Sequence, residues 1–286
     1  MVLPSPWLAA CLATAIGVVN VRVFNLMHDC AHRSLFTNSR TNDWLGSVLG
    51  FLTLIPYHYW RRQHLRHHAT SGNLDRRGQG DIWLLTLQEY QQKPRAVRAL
   101  YHLYRNPAFY LSLGSILYFA VKMRFPYRAA RGMTEWRGIL VVTLSWGLLY
   151  SLIARAGGPV TPLLWSHALS VLVGGAIGLW LFFVQHQFEH TTWKRQQHWR
   201  FFDTAYHGSS FVRLPSTLEW LFVSINLHHI HHLDPKIPNY RLREATNILQ
   251  DHSRGPLALK DAFRAFRWKL WDEKNERMVG FGKESG

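Results

Sequence analysis

Cysteine is nearly absent. The 286 residues hold two, Cys11 inside an apolar run and Cys30 between two histidines, which excludes a disulfide framework and leaves no cysteine cluster for an iron–sulfur centre. Acidic residues are also few, 17 against 33 Lys and Arg, for a formal net charge of +16. No dinucleotide-binding glycine pattern and no HExxH motif occur, so the chain carries neither a nicotinamide site of that type nor a zinc-protease signature. Zinc-finger, homeodomain and RNA-recognition patterns are missing too, and nucleic acid is not an expected partner. Finally, no basic segment precedes the first apolar run, which therefore reads as a spanning helix and not as a cleaved signal.

What is present is grease and positive charge. Hydrophobic residues make up 48% of the chain, with 13 Trp, 16 Phe and 11 Tyr, yet the mean hydropathy is −0.12. Apolar and basic stretches must alternate along the sequence, as in a membrane protein with cationic loops. Residues 7–27, 138–154 and 161–184 are close to the ~20 residues a helix needs to cross a bilayer, and the link RAGGPV joins the last two as a hairpin. Residues 44–57 and 108–121 would reach only about 21 Å as helices, short of the ~30 Å hydrocarbon core, so they are expected to lie at the interface, re-enter or pack within the protein. The expected fold class is an all-α integral membrane protein, a single domain over 1–286. Its segments 28–137 and 185–286 are mainly cytosolic, because the basic residues concentrate there while the hairpin link offers only Arg155. This places the chain in an inner (cytoplasmic) membrane, multi-pass. In the tail, Leu259, Ala262, Phe263, Phe266 and Leu270 recur at helical spacing beside Lys260, Arg264, Arg267 and Lys269. Residues 257–272 thus read as a basic amphipathic helix, either on an anionic membrane surface or packed against the protein.

Histidine is the outstanding residue, with 17 in the chain. Most fall in clusters with helical spacing: His28 and His32 in HDCAH; His64, His67 and His68 in HLRHH; His186 and His190 in QHQFEH; and His228, His229, His231 and His232 in HHIHH. Residues four apart on a helix share a face, so each such pair can address one point. If 44–57 and 108–121 do not cross the membrane, a single hairpin separates His68 from His186, and all clusters emerge on one side. A structural zinc needs four ligands, commonly with thiolates; this many imidazoles without thiolates suits two transition-metal ions with room for a small molecule. Two irons fit oxygen chemistry. His229 reads as supporting or exposed, and His58, His102, His167, His198, His207 and His252 as structural or surface residues, with His207 the first to reconsider.

The stretches HDCAHRSLF, PYHYWRRQHLRHHATSGNLDRRGQGDI, FFVQHQFEHTTW and HHIHHLDPKIPNYRL resemble, in order, the histidine boxes of the membrane-bound fatty acid desaturases, in particular bacterial acyl-lipid enzymes of the omega-6 or Δ12 type. The resemblance implies a di-iron centre on the cytosolic side, a histidine-rich cap held by His28, His32, His64, His67, His68, His186, His228, His231 and His232, with His190 as a further candidate. Members of that family usually carry another membrane segment ahead of the helix leading into the first box, whereas Met1 falls just before it here, so either a shortened version or a misplaced start is expected. Where the family usually reads Gly-Asn-Ile-Gly before the third box, residues 223–226 read VSIN, and Ala31 replaces a frequent glycine.

The reaction implied is oxygen-dependent insertion of a cis double bond into a lipid-linked acyl chain. A methylene C–H offers no handle to ordinary side chains, so the oxidant must come from a cofactor and dioxygen. Electrons must come from an external donor, and the basic face suits an acidic, ferredoxin-like protein as well as an anionic membrane. Asp29, Asp75, Asp81, Glu189 and Asp234 are candidates to accept the second N–H of ligand histidines. A di-iron hydroxylase or ketolase acting on a lipid or carotenoid is the alternative of the same chemistry, and a non-enzymatic membrane metal-binding or electron-transfer protein the alternative of a different class.

Overall fold

The computed structural model describes residues 5–78, 80–126, 132–249 and 255–282; His252 lies outside them. Helices dominate, and their ends follow local chemistry. Helix α1 (Pro6–His32) starts where Ser5 accepts the Leu8 N–H at 3.3 Å with proline in the first turn, and stops at Arg33, whose backbone is left-handed at φ 57°. Helix α2 (Ser39–Leu52) is capped by Asn38, which accepts the Arg40 N–H at 2.8 Å. After the Thr53–Pro56 turn comes α3 (Tyr57–Thr70). A short strand β1 (Leu85–Thr86) leads into α4 (Leu87–Gln92), where Thr86 and Glu89 form a reciprocal capping box. Then follow α5 (Arg95–Tyr104), α6 (Pro107–Leu111) and α7 (Leu113–Ile116), the last continuing as one π turn and one 3₁₀ turn to Arg124. The two long helices α8 (Met133–Arg155) and α9 (Val160–His186) are joined by a link containing Gly157 at φ 71°. The remainder is α10 (Phe201–His207), α11 (Ser216–Leu221), α12 (His228–Leu233), α13 (Leu242–Ile248), α14 (Leu259–Arg264) and strands β2 (Leu270–Asp272) and β3 (Arg277–Val279).

α1, α8 and α9 are long and apolar enough to cross a membrane, and they cover the three expected spans. Large apolar side chains such as Trp165, Leu144 and Val141 stand exposed on α8 and α9, as a lipid-facing surface would require. The two shorter apolar stretches behave differently: the first ends after 14 helical residues, and the second breaks into the α6–α7 series.

By packing the chain divides into two units, residues 1–62 with 111–179, and residues 63–110 with 180–286. In the first, Met27, Ala31, Ile55, Tyr57, Tyr59 and Trp60 form the core. The Tyr57 hydroxyl donates to Cys30 O at 2.9 Å, and its ring fills the space a side chain at Gly46 would need. In the second unit, a three-stranded sheet of order β1-β2-β3 pairs β1 parallel and β3 antiparallel to β2. Leu74, Leu84, Trp193, Trp271 and Met278 form one core cluster there, and Leu227, Ile230 and Leu242 another.

This sheet corrects one expectation. Among the described residues the all-α fold carries these three short strands besides its helices, and residues 257–272 are not one amphipathic helix. Helix α14 ends at Arg264, a 3₁₀ turn follows, and Leu270–Asp272 pair as a strand. Ala262, Phe266 and Leu270 are buried in the second unit while Phe263 is exposed, so these three residues of the stripe serve internal packing. The helix yields because backbone pairing with β1 and β3 buries Leu270 and Trp271 from both sides of the chain, and because the Asp272 carboxylate accepts the N–H groups of Lys274 and Asn275 to set the hairpin turn.

Candidate metal centre

Within the second unit, α3, the end of α9 and α12 supply two groups of imidazoles. His67, His186, His228 and His232 form one, with ligand nitrogens all within 4.8 Å of one another; His64, His68 and His231 meet the same criterion as a second. The spacing explains the division. Both α3 and α12 carry histidines at i, i+3 and i+4. On α3 the i and i+4 residues, His64 and His68, go to the second group while His67 goes to the first. On α12 the assignment is reversed: His228 and His232 go to the first and His231 to the second. The rings of His68 and His232 stack at 4.1 Å between the two groups.

The Nε2 atoms converge. His186 Nε2 lies 3.0 Å from that of His67 and 3.1 Å from that of His228, which is 3.1 Å from His232 Nε2. In the second group the separations are 3.0 Å for His64 to His68 and 3.1 Å for His68 to His231. The ring nitrogens of each group thus lie close enough together for one ion to be held among them. Chemistry at His67 agrees: the buried Asp81 Oδ1 lies 2.5 Å from His67 Nδ1. A carboxylate only accepts, so Nδ1 carries the proton and Nε2 presents its lone pair, the tautomer a metal needs. The loop bringing Asp81 there depends on glycine. Gly80 has φ 80°, and a Cβ on it would sit 2.8 Å from Gln63 O on α3. Burial, followed by the neighbouring histidines, holds His232 well below the ordinary imidazole range, so it too offers a lone pair at neutral pH.

α12 is reached through a strained turn. Val223 and Ser224 have φ of 56° and 59°, the left-handed region that glycine and asparagine tolerate and other residues resist. That is the physical meaning of VSIN at the position where Gly-Asn-Ile-Gly is usual. His228 is then fixed by its N–H bond to Ser210 O at 3.2 Å.

The remaining candidates differ in their surroundings. His28 and His32 face one another on α1 in the first unit, ring centroids 4.8 Å apart, with His28 buried against Trp60. His190 is exposed and belongs to neither group. His229 is buried, stacked on Phe211. Among the five acidic candidates Asp81 meets His67 within hydrogen-bond distance, and Asp29 Oδ1 is 3.6 Å from His28 Nδ1. Asp75 instead binds Arg195 and the Gln196 N–H, Asp234 accepts from Lys236 N, and Glu189 is exposed. His58 lies beside Ser47, His102 stacks on Phe281, and His167 bonds the Tyr150 hydroxyl at 2.6 Å. His198 and His207 are exposed. Reading the sequence missed the two glutamines flanking His186. Gln185 donates to Ile225 O at 3.0 Å and Gln187 accepts from Arg105 at 2.9 Å; the repeated Gln in QHQ was the available signal.

Comparison with known proteins agrees with this geometry. A sequence model described as fatty acid desaturase matches residues 5–258. The chain belongs to the fatty acid desaturase family. It is 41% identical over 266 residues to a fatty acid desaturase of Bacillus subtilis, covering 91% of this chain and 74% of that protein. It is 24% identical to the sn-1 oleoyl-lipid 12-desaturase of Synechocystis, over 94% of this chain and 75% of that one. To the endoplasmic-reticulum omega-3 fatty acid desaturase of Vigna radiata it is 29% identical, over 85% of this chain and 66% of the relative. As a desaturase-family protein of the histidine-box type, the chain has the two imidazole clusters and the family's order of boxes together.

Proposed function

We propose that this protein is a membrane acyl-lipid desaturase that introduces a cis double bond, of the Δ12 or omega-6 type, into a fatty acyl chain. The observation that carries the reading is the pair of convergent, thiolate-free imidazole groups in a member of this family. His67, His186, His228 and His232 would hold one iron, and His64, His68 and His231 the other; His28 and His32 of α1 are the further ligands that the family's histidine boxes imply. Two bound irons would supply the oxidant from dioxygen that no side chain can provide. Dioxygen takes up two hydrogens, with their two electrons, from the pair of C–H bonds broken, and two electrons from an external donor with two protons from the medium, and leaves as two waters. The protein's own part is to fix the imidazoles, keep His67 in its tautomer through Asp81, exclude water, and set which carbons approach the site. The basic loops support a cytoplasm-facing site and an acidic, ferredoxin-like donor. The 12-desaturase name of the Synechocystis relative supports the position of the bond.

The test is a mass-spectrometric fatty acid profile of a host that makes only saturated and monounsaturated lipids, producing the chain together with a ferredoxin and its reductase. A new diene that disappears with His232→Ala is expected, its derivatised fragments locating the bond. A hydroxy or keto lipid would assign the chain to oxygen insertion instead. An unchanged profile from iron-loaded protein would reject the reading.

A further inference from the structure

Arg105, at the end of α5, is 1% exposed, yet its hydrogen bonds run to three neutral oxygens. Nη2 donates to Gln187 Oε1 at 2.9 Å and to Trp268 O at 2.7 Å, and Nη1 to Trp83 O at 3.4 Å. The Phe183 ring lies 5.0 Å from its guanidinium carbon, and Lys269 Nζ donates to the Arg105 carbonyl. Burying a cation among neutral groups is costly, and an apolar residue would fill such a space more favourably. The charge therefore has a use beyond packing, and its geometry shows which. Gln187 is fully buried and follows His186 directly. With its Oε1 held by Arg105, its amide nitrogen is turned the other way, and Gln187 lines a small cavity with His67, Asp81, His186 and Trp193.

We propose that Arg105 is a positioning residue for the His67–His186–His228–His232 metal site, holding Gln187 and through it the end of α9, while the C-terminal segment at Trp268 and Lys269 holds Arg105. The inference rests on the di-iron reading. The other bonds at the end of α9 come from the segment between it and α12: Ser210 N to Gln185 O at 3.0 Å, Ser210 Oγ to Val184 O at 3.0 Å, and Thr191 Oγ1 to His186 O at 3.2 Å. Arg105 ties the same point to α5 and the C-terminal segment, which carry no ligand histidine. Trp268 and Lys269 lie beyond residues 5–258, the stretch that the family sequence model matches.

The experiment uses the full chain purified in detergent, measuring iron per chain against increasing chelator alongside the thermal unfolding midpoint. Arg105→Met and Gln187→Leu are expected to release iron at about 10- to 100-fold lower chelator, the loss typical of an outer partner of a metal ligand. Gln187→Glu, which keeps an acceptor for Arg105, should retain iron. So should Tyr101→Phe, which removes the bond from Tyr101 Oη to Lys269 O at 2.6 Å but leaves Gln187 held. Wild-type iron retention in Arg105→Met would overturn the proposal, and so would iron loss that simply follows the unfolding midpoint across all four variants. If Arg105→Met does not fold, the Gln187→Leu and Gln187→Glu pair makes the same comparison. Wild-type protein without iron would reject the di-iron reading itself, a separate outcome.

Discussion

Removing the carboxylate behind His67 should weaken the metal centre without unfolding the protein. Asp81 and His67 are each 3% exposed in their side chains, with 2.5 Å between Oδ1 and Nδ1, while Asp81 Oδ2 accepts the Gly78 N–H at 3.1 Å. Outer partners of metal-bound histidines contribute about 10- to 100-fold in affinity, or roughly 1.4 to 2.7 kcal/mol. Asp81→Asn keeps an oxygen that can accept the Nδ1 proton, so its loss should lie near the lower figure, and Asp81→Ala near the upper. The assay is iron retained per chain against a series of chelator concentrations. Asp75→Ala serves as control, because Asp75 is bound to Arg195 and Gln196 and should leave the curve in place. Retention of iron by Asp81→Ala at the wild-type chelator midpoint would refute the reasoning.

Three further outcomes are expected. Ser224→Gly relieves a left-handed residue worth about 1–2 kcal/mol against a glycine entropy cost of about 0.5–1 kcal/mol. The net gain of roughly 0.5–1 kcal/mol should appear as a small rise in unfolding midpoint, and a fall would contradict it. Gly174→Ala places a Cβ 2.7 Å from Gly17 O where α1 and α9 cross; backbone on both sides cannot yield, so a loss of about 1–3 kcal/mol is expected by thermal unfolding in detergent. Burial, then the neighbouring Arg105, pushes Lys269 down to about 8. The folded chain therefore binds fewer protons than the unfolded one between about pH 8 and the ordinary lysine value, and stability should rise with pH across that window. Lys269→Met should flatten the rise in midpoint measured between pH 7 and 9.5; an equal slope in both proteins would argue against it.

The spans and the histidine clusters were legible in the sequence because they are local patterns. A run of about twenty apolar residues and an i, i+4 repeat need no knowledge of distant chain. Other features were not legible, since each depends on long-range pairing. That α3 and α12 deal their histidines to the two groups in opposite ways follows from how the helices face each other. Asp81 stood among five acidic candidates, and only the Gly80 turn brings it to His67. The tail's helical periodicity was real, but pairing with Leu85 and Thr86, far earlier in the chain, turned its end into a strand. Arg105 carried no signal among so many basic residues; its burial distinguishes it. The VSIN departure was visible as a difference, and became a strained turn only once its backbone angles were known.

The most direct test of the central claim is the metal content of the full chain purified from iron-supplemented cells. Two irons per chain, falling to about one in His232→Ala while helix content is unchanged, is the result expected of two imidazole sites. One iron or none in the intact, folded protein, or the same content in His232→Ala, would contradict it.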